Sequence, residues 1–218
     1  KIVLYVTFAI IIIGSALFFL LEYNNTLKGV SGIGNKLFTT FFQVVTCRTS
    51  GFNVLDINMM HISTIILILV MIFIGGSPSS TGGGIKTTTL FIVVKSVIAT
   101  VKGRKDIEFD HRAISASQVE RATTILMMSA GFILTSCFLL TVVQPDVQLL
   151  HALFETSSAF TTCGLSTGEC ANWNWAAKLI LTVNMYCGRI GTLTMAFALT
   201  RHKKDSPHQY PDLYIMLG

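Results

Sequence analysis

Apolar residues run almost unbroken from Ile2 to Leu21, interrupted only by the aliphatic hydroxyls of Thr7 and Ser15 and by Gly14. Twenty residues at about 1.5 Å each reach roughly 30 Å, one hydrocarbon thickness, so the pattern predicts a transmembrane helix. Further apolar stretches over 62–74, 85–101 and 122–143 predict more spans. A weaker span, 179–200, carries Asn184, Arg189 and two glycines, Gly188 and Gly191. Between these lie two amphipathic pieces, 37–45 and 149–160. At about ten residues each they are too short to cross a bilayer and too apolar for a solvated loop. A signal peptide fits the first run poorly, since no small-residue cleavage site follows it. With Lys1 in place of an initiator Met, the expectation is a chain that begins partway through a longer polypeptide.

The segment 75–86 breaks what would otherwise be one helix. Residues 57–104 as a single rod would measure about 72 Å, more than twice the hydrocarbon core. Five glycines, four Ser/Thr and Pro78 fall within those twelve positions, more than a simple turn requires.

Charge agrees with a bilayer protein. Only 12% of residues are charged and mean hydropathy is +0.64, against about 25% charged in soluble domains. Half of the sixteen Lys and Arg fall in two windows, 102–121 and 201–204, which marks both as cytoplasmic. Segments 22–58 and 144–176 then face outward, and the parity closes only if each dips in and returns on one side. Disulfide scaffolds, disordered tails and nucleic-acid binders fit poorly despite a net charge of +5. The five cysteines form no C-x-x-C pair and read as free thiols. The histidines show no metal-ligand spacing.

A shift of 113 residues lays the chain on itself. Phe41-Phe42 falls on Phe154-Glu155, Thr49-Ser50-Gly51-Phe52 on Thr162-Cys163-Gly164-Leu165, and Met71–Gly75 on Asn184–Gly188. Each copy reads span, short helix, Thr-x-Gly-apolar, span. A short helix ending mid-membrane points the negative end of its dipole at the bilayer centre, which favours a cation. Non-helical backbone at that depth must line a cavity or be buried in protein, and a glycine there lets carbonyls turn toward an ion. Ordinary turn glycines are the alternative; two copies at matching positions weigh against it.

Four linked motifs resemble the Trk/Ktr/HKT cation-transporter superfamily: Thr46–Asn53, Gly75–Lys86, Thr161–Gly168 and Gly188-Arg189-Ile190-Gly191. The tail ending in Ile215-Met216-Leu217-Gly218 looks most like the bacterial Ktr (KtrB-type) membrane subunit. The resemblance implies an all-α membrane protein with four membrane–pore–membrane units around one pore, of which this chain matches the third and fourth. The expected organisation is a first repeat over 1–104, a cytoplasmic linker over 105–118, a second repeat over 119–201 and a cytoplasmic tail over 202–218.

The resemblance assigns the filter to Thr49, Ser50, Gly51 and Phe52 with Thr162, Cys163, Gly164 and Leu165, backbone carbonyls coordinating potassium. Glycine in every repeat goes with potassium, and serine in the first repeat with sodium. It makes residues 75–86 an intramembrane gate under the filter, comprising Gly76, Ser77, Pro78, Ser79, Ser80, Thr81, Gly82, Gly83, Gly84 and Lys86. Arg189 opposes Gly76 by the repeat offset. An intramembrane arginine is costly unless it faces a cavity or partner, and here it would set a positive barrier in the pore. Arg48 and Glu155, also costly at depth unless paired, would brace the loops behind the filter, with each other as one pairing. Lys86 and Lys95 either snorkel or line the inner mouth.

The expected function is potassium uptake across the plasma (inner) membrane, passive or sodium-assisted, with no enzymatic step. Expected partners are the missing N-terminal half of the pore, a second protomer in a homodimer, membrane lipids and a cytosolic nucleotide-binding regulatory ring; nucleic acid is not among them. Alternatives are a two-pore-loop channel working as a dimer, a sodium-selective relative, a scaffolding subunit, and an intramembrane enzyme using Cys163 with His151 and Glu155. The repeat partner of Cys163 is Ser50, which argues for architecture over a unique nucleophile.

Overall fold

A computed structural model of the chain describes residues 2–78, 80, 82–103, 107–109 and 112–191. The first repeat begins with α1 (Ile2–Glu22), continues through the short α2 (Ile33–Thr46), and ends with α3 (Ile62–Phe73) and α4 (Thr87–Val101), separated by a non-helical loop. The second contains α5 (Ala116–Val143), the short α6 (Leu149–Thr161) and α7 (Trp175–Ile190). The two expected half-span helices are thus present, and each is followed by irregular chain returning to a longer helix. By length and composition α1 and α5 are able to cross a membrane, while α3 and α4 are shorter apolar helices. The weaker expected span over 179–200 is helical as far as Ile190, and 192–200 lie outside the described residues.

The linker holds one feature that the hydrophobic runs did not predict. β1 (Ile107–Phe109) pairs antiparallel with β2 (Arg112–Ile114), Ile107 opposite Ile114 and Phe109 opposite Arg112. The alternation Ile-Glu-Phe suits a short strand, but three residues are too few to stand out in a sequence dominated by apolar runs. Otherwise the described fold is helical.

The two repeats share a core. Phe18 of α1, Val44 of α2 and Ile65, Ile68, Met71 and Ile72 of α3 are buried in one cluster with Phe154, Cys163 and Leu165 of the second repeat. A second cluster belongs to the second repeat alone and joins Cys137 and Leu140 of α5, Ala152 and Ala159 of α6, and Ala177 and Leu181 of α7. Helix α3 packs on α6 and α4 on α5, so the two halves of the first repeat's closing segment meet the short helix and the first long helix of the second. Gly14 permits the close approach of α1: a Cβ there would stand 2.6 Å from Met71 Cε and 3.2 Å from Val44 Cγ1. The opposite face of α1, with Leu4, Tyr5, Phe8, Ile12 and Leu20, is exposed and apolar, as a lipid-facing surface is.

The end of α1 is tied down by a fully buried carboxylate, Glu22. It accepts hydrogen bonds from Asn25 Nδ2 at 2.8 Å, Thr26 Oγ1 at 2.8 Å, the His61 amide at 2.9 Å and Thr64 Oγ1 at 2.5 Å. The last two lie at the start of α3, so one side chain fastens two helix ends and satisfies an orphan amide there. Replacing Glu22 by Ala strands these donors and is expected to cost about 3 kcal/mol. A drop in the melting temperature of the detergent-purified protein, larger than that of Asn25→Ala, which removes one donor only, checks this.

Candidate ion filter and gate

Helices α2 and α6 end at Thr46 and Thr161, and each is followed by a turn of the same construction. Thr49 and Thr162 have φ of 68° and 54°, and Gly51 and Gly164 have φ of 74° and 89°. These are the non-glycine residues with positive φ among the described residues, and they occupy equivalent repeat positions. For a β-branched residue this region is an outlier costing about 1–2 kcal/mol. Ser50 and Cys163, between each pair, keep negative φ. Backbone that alternates in hand turns successive carbonyls toward one side, whereas an extended strand sends them to opposite sides.

Each turn is braced differently. In the first, the amides of Ser50 and Gly51 donate to the Thr46 carbonyl at 3.2 and 3.4 Å, and the Phe52 amide donates to Thr46 Oγ1 at 2.9 Å. Buried Gln43 bonds Asn53 Oδ1 at 3.4 Å. In the second, the Cys163 amide donates to the Ser158 carbonyl at 3.0 Å and Ser158 Oγ donates to the Leu165 carbonyl. Glu155, almost fully buried, accepts from Ser166 Oγ at 2.7 Å and from the Thr167 amide and hydroxyl at 2.7 and 2.9 Å. It therefore braces the return of its own turn. Arg48 is not its partner: Arg48 Nη1 is buried with no hydrogen-bond partner among the described residues. The pairing of Arg48 with Glu155 is corrected accordingly: the carboxylate instead takes the hydroxyls and amide of 166–167 on its Oε1.

The turns sit side by side. A Cβ on Gly51 would stand 2.8 Å from the Cys163 carbonyl oxygen and 3.3 Å from Gly164 Cα. The Cys163 thiol donates to the Cys47 carbonyl at 3.3 Å, and Asn58 Nδ2 donates to the Thr167 carbonyl at 2.9 Å, so side chains of each repeat grip the other's turn. The residues after the glycines differ: Leu165 is buried and Phe52 is exposed.

The loop between α3 and α4 lies against these turns. Gly83 donates its amide to Thr162 Oγ1 at 3.0 Å, and a Cβ there would stand 2.6 Å from the Phe160 carbonyl oxygen. A Cβ on Gly82 would stand 2.9 Å from Thr49 Cγ2. Only glycine fits between the loop and the ends of the short helices, which accounts for the cluster of glycines better than turn chemistry does. Gly84 has φ of 76° and adjoins Thr161. Gly76 packs against the Ser80 side chain, Ser77 and Pro78 are half-buried, and Ser79 and Thr81 lie outside the described residues. Lys86 donates to the carbonyls of Ser80 and Gly82 and to Ser80 Oγ.

From the other side, α7 touches the same point. A Cβ on Gly188 would overlap the Phe160 carbonyl oxygen, so Gly83 and Gly188 flank one carbonyl at the end of α6. Arg189 follows on the last turn of α7, exposed, its charge within coulombic reach of Lys86. Lys95 lies further along α4, over the Phe91 ring. His151 Nδ1 lies 2.7 Å from Glu169 Oε1. No group of three metal-ligating side chains occurs among the described residues.

Sequence reading passed over Glu22, Gln43, Thr46, Ser158 and Asn58. Buried carboxylate and amide side chains at the ends of apolar runs were the available signal.

The comparisons follow this architecture. Residues 1–210 match the model of the family described as TrkH, cation transport protein. The chain is 37% identical over 92% of its length to the Ktr system potassium uptake protein B of Bacillus subtilis, covering 45% of that protein. It is 34% identical over its full length to the potassium/sodium uptake protein NtpJ of Enterococcus hirae, covering 49% of it. The crystal structure of the potassium transporter TrkH from Vibrio parahaemolyticus superposes with a TM-score of 0.76 at 22% identity, over 90% of this chain and 43% of that one. The chain thus spans about half the length of the relatives it matches. A predominantly helical membrane fold with paired short helices, matched across nearly its whole length, places this chain in the TrkH family of cation transport proteins.

Proposed function

We propose that this chain supplies two of the four filter turns of a potassium uptake pore, and that residues 75–86 gate it. The observation that carries the reading is the matched pair of left-handed Thr and Gly positions, Thr49 with Gly51 and Thr162 with Gly164, side by side at the ends of short helices. Turns that alternate in backbone hand at the C-terminal ends of two short helices suit main-chain coordination of a dehydrated monovalent cation. The printed names of the relatives, potassium uptake protein B and potassium/sodium uptake protein NtpJ, support potassium as cargo, with sodium as the second ion. Glycine at both turns favours potassium. A Ktr-like system further suggests a homodimer in the plasma membrane, with a cytosolic nucleotide-binding ring docking on the basic linker and tail, and no enzymatic step.

The test is growth of a potassium-uptake-deficient bacterium on limiting potassium. The complete transporter carrying this chain restores growth, and rubidium uptake follows it; failure to restore growth despite membrane expression refutes the reading. Within it, Arg189 is a positive barrier. Arg189→Gln is expected to raise rubidium influx several-fold, by about 1 kcal/mol of barrier. Unchanged influx assigns Arg189 a structural role instead.

A further inference from the structure

The loop between α3 and α4 leaves the helical hydrogen-bond ladder, and its carbonyls need other donors. One side chain supplies several at once. Lys86 stands at the residue preceding α4, fixed by the helix that follows it, and its ammonium has three protons. It donates to the Ser80 carbonyl at 3.1 Å, to Ser80 Oγ at 3.3 Å and to the Gly82 carbonyl. All three acceptors belong to the loop, and Gly82 is the residue that rests on Thr49 of the first filter turn.

We infer that Lys86 is the latch of the intramembrane loop: bonds from its ammonium to Ser80 and Gly82 hold the loop against the filter turn, and losing them frees it. Snorkelling toward the membrane surface, the other role open to such a lysine, would turn the ammonium away from the loop. The observed bonds run the other way. Lys86 is a positioning residue here; it acts on the pore through Gly82. The inference rests on the gate reading for its effect on flux, but not for its effect on the loop.

The loop itself is therefore read directly. Ser77 is half-buried on the loop and makes no side-chain hydrogen bond among the described residues, while four of the five native cysteines are buried, so Ser77→Cys reports access by a charged thiol reagent applied from the cytoplasmic side. In the complete transporter, Lys86→Met keeps the length of the side chain and removes its donors. It is expected to speed labelling of Ser77→Cys at least about tenfold, the size of losing a set of charge-assisted bonds. Rubidium uptake rises with it. Ser80→Ala removes one acceptor and is expected to speed labelling less, in the same direction; it decides the matter if Lys86→Met fails to reach the membrane. Unchanged labelling in both variants overturns the latch, whatever uptake does. If excision of 76–84 leaves uptake unchanged while Lys86→Met still speeds labelling, the gate reading falls and the latch stands.

Discussion

Excision of residues 76–84, joining Gly75 to Ile85, is expected to raise basal rubidium uptake by about tenfold or more. The loop's ends are already neighbours: the Ile85 amide donates to the Phe73 carbonyl at 3.2 Å, and a Cβ on Gly75 would stand 3.6 Å from the Ile85 carbonyl oxygen. Removing what lies between need not move α3 or α4. What is lost is the proposed plug: Gly82 on Thr49, and Gly83 on Thr162 and the Phe160 carbonyl. A block held by a few hydrogen bonds and close backbone contacts is worth one or two factors of ten in conducting population, at about 1.4 kcal/mol each. Uptake that stays constant in a variant that folds and reaches the membrane would refute the gate.

The second large effect is on selectivity. Gly164→Ser places a side chain at φ of 89° and brings a Cβ within 3.4 Å of Gly51 Cα. The left-handed conformation costs about 1–2 kcal/mol in any residue with a Cβ. The turn is expected to relieve that strain by rotating its carbonyls, and the potassium-to-sodium uptake ratio falls about tenfold. Gly32→Ser is the control. Gly32 has φ of 83° with only an Asn35 side-chain atom near its Cβ position, so it carries similar strain away from the turns, and its ratio should match the parent. An unchanged ratio in Gly164→Ser would show that this position does not set ion preference.

Much of this architecture was legible in the sequence because it depends on length and repetition. Apolar runs of bilayer length gave α1 and α5, and the 113-residue offset paired α2 with α6. The offset also aligned Thr49 with Thr162, and the structure gives both the same unusual φ. The loop was legible through its glycines, though their reason was not: the nearby Phe160 carbonyl and the Thr49 side chain are long-range neighbours that no local pattern announces.

The bracing network was the least legible part. Arg48 and Glu155 looked like partners because buried charges need partners, yet hydroxyls and an amide of its own turn are what Glu155 Oε1 accepts from. Gln43 in one repeat and Glu155 in the other do the same work one position apart in register, so self-comparison misaligned them. Glu22 stands out in no hydrophobic pattern, yet it is a clamp between two helices. The paired strands 107–109 and 112–114 were too short to compete with the surrounding apolar signal.

The central claim is that the turns at 49–52 and 162–165 hold a dehydrated monovalent cation on their main-chain oxygens. Anomalous diffraction from crystals of the complete transporter soaked in thallium or rubidium tests it most directly. The account predicts a peak within coordination distance of carbonyl oxygens from both turns, weakened in Gly164→Ser. A peak held by side chains elsewhere, with neither turn touching an ion, would contradict it.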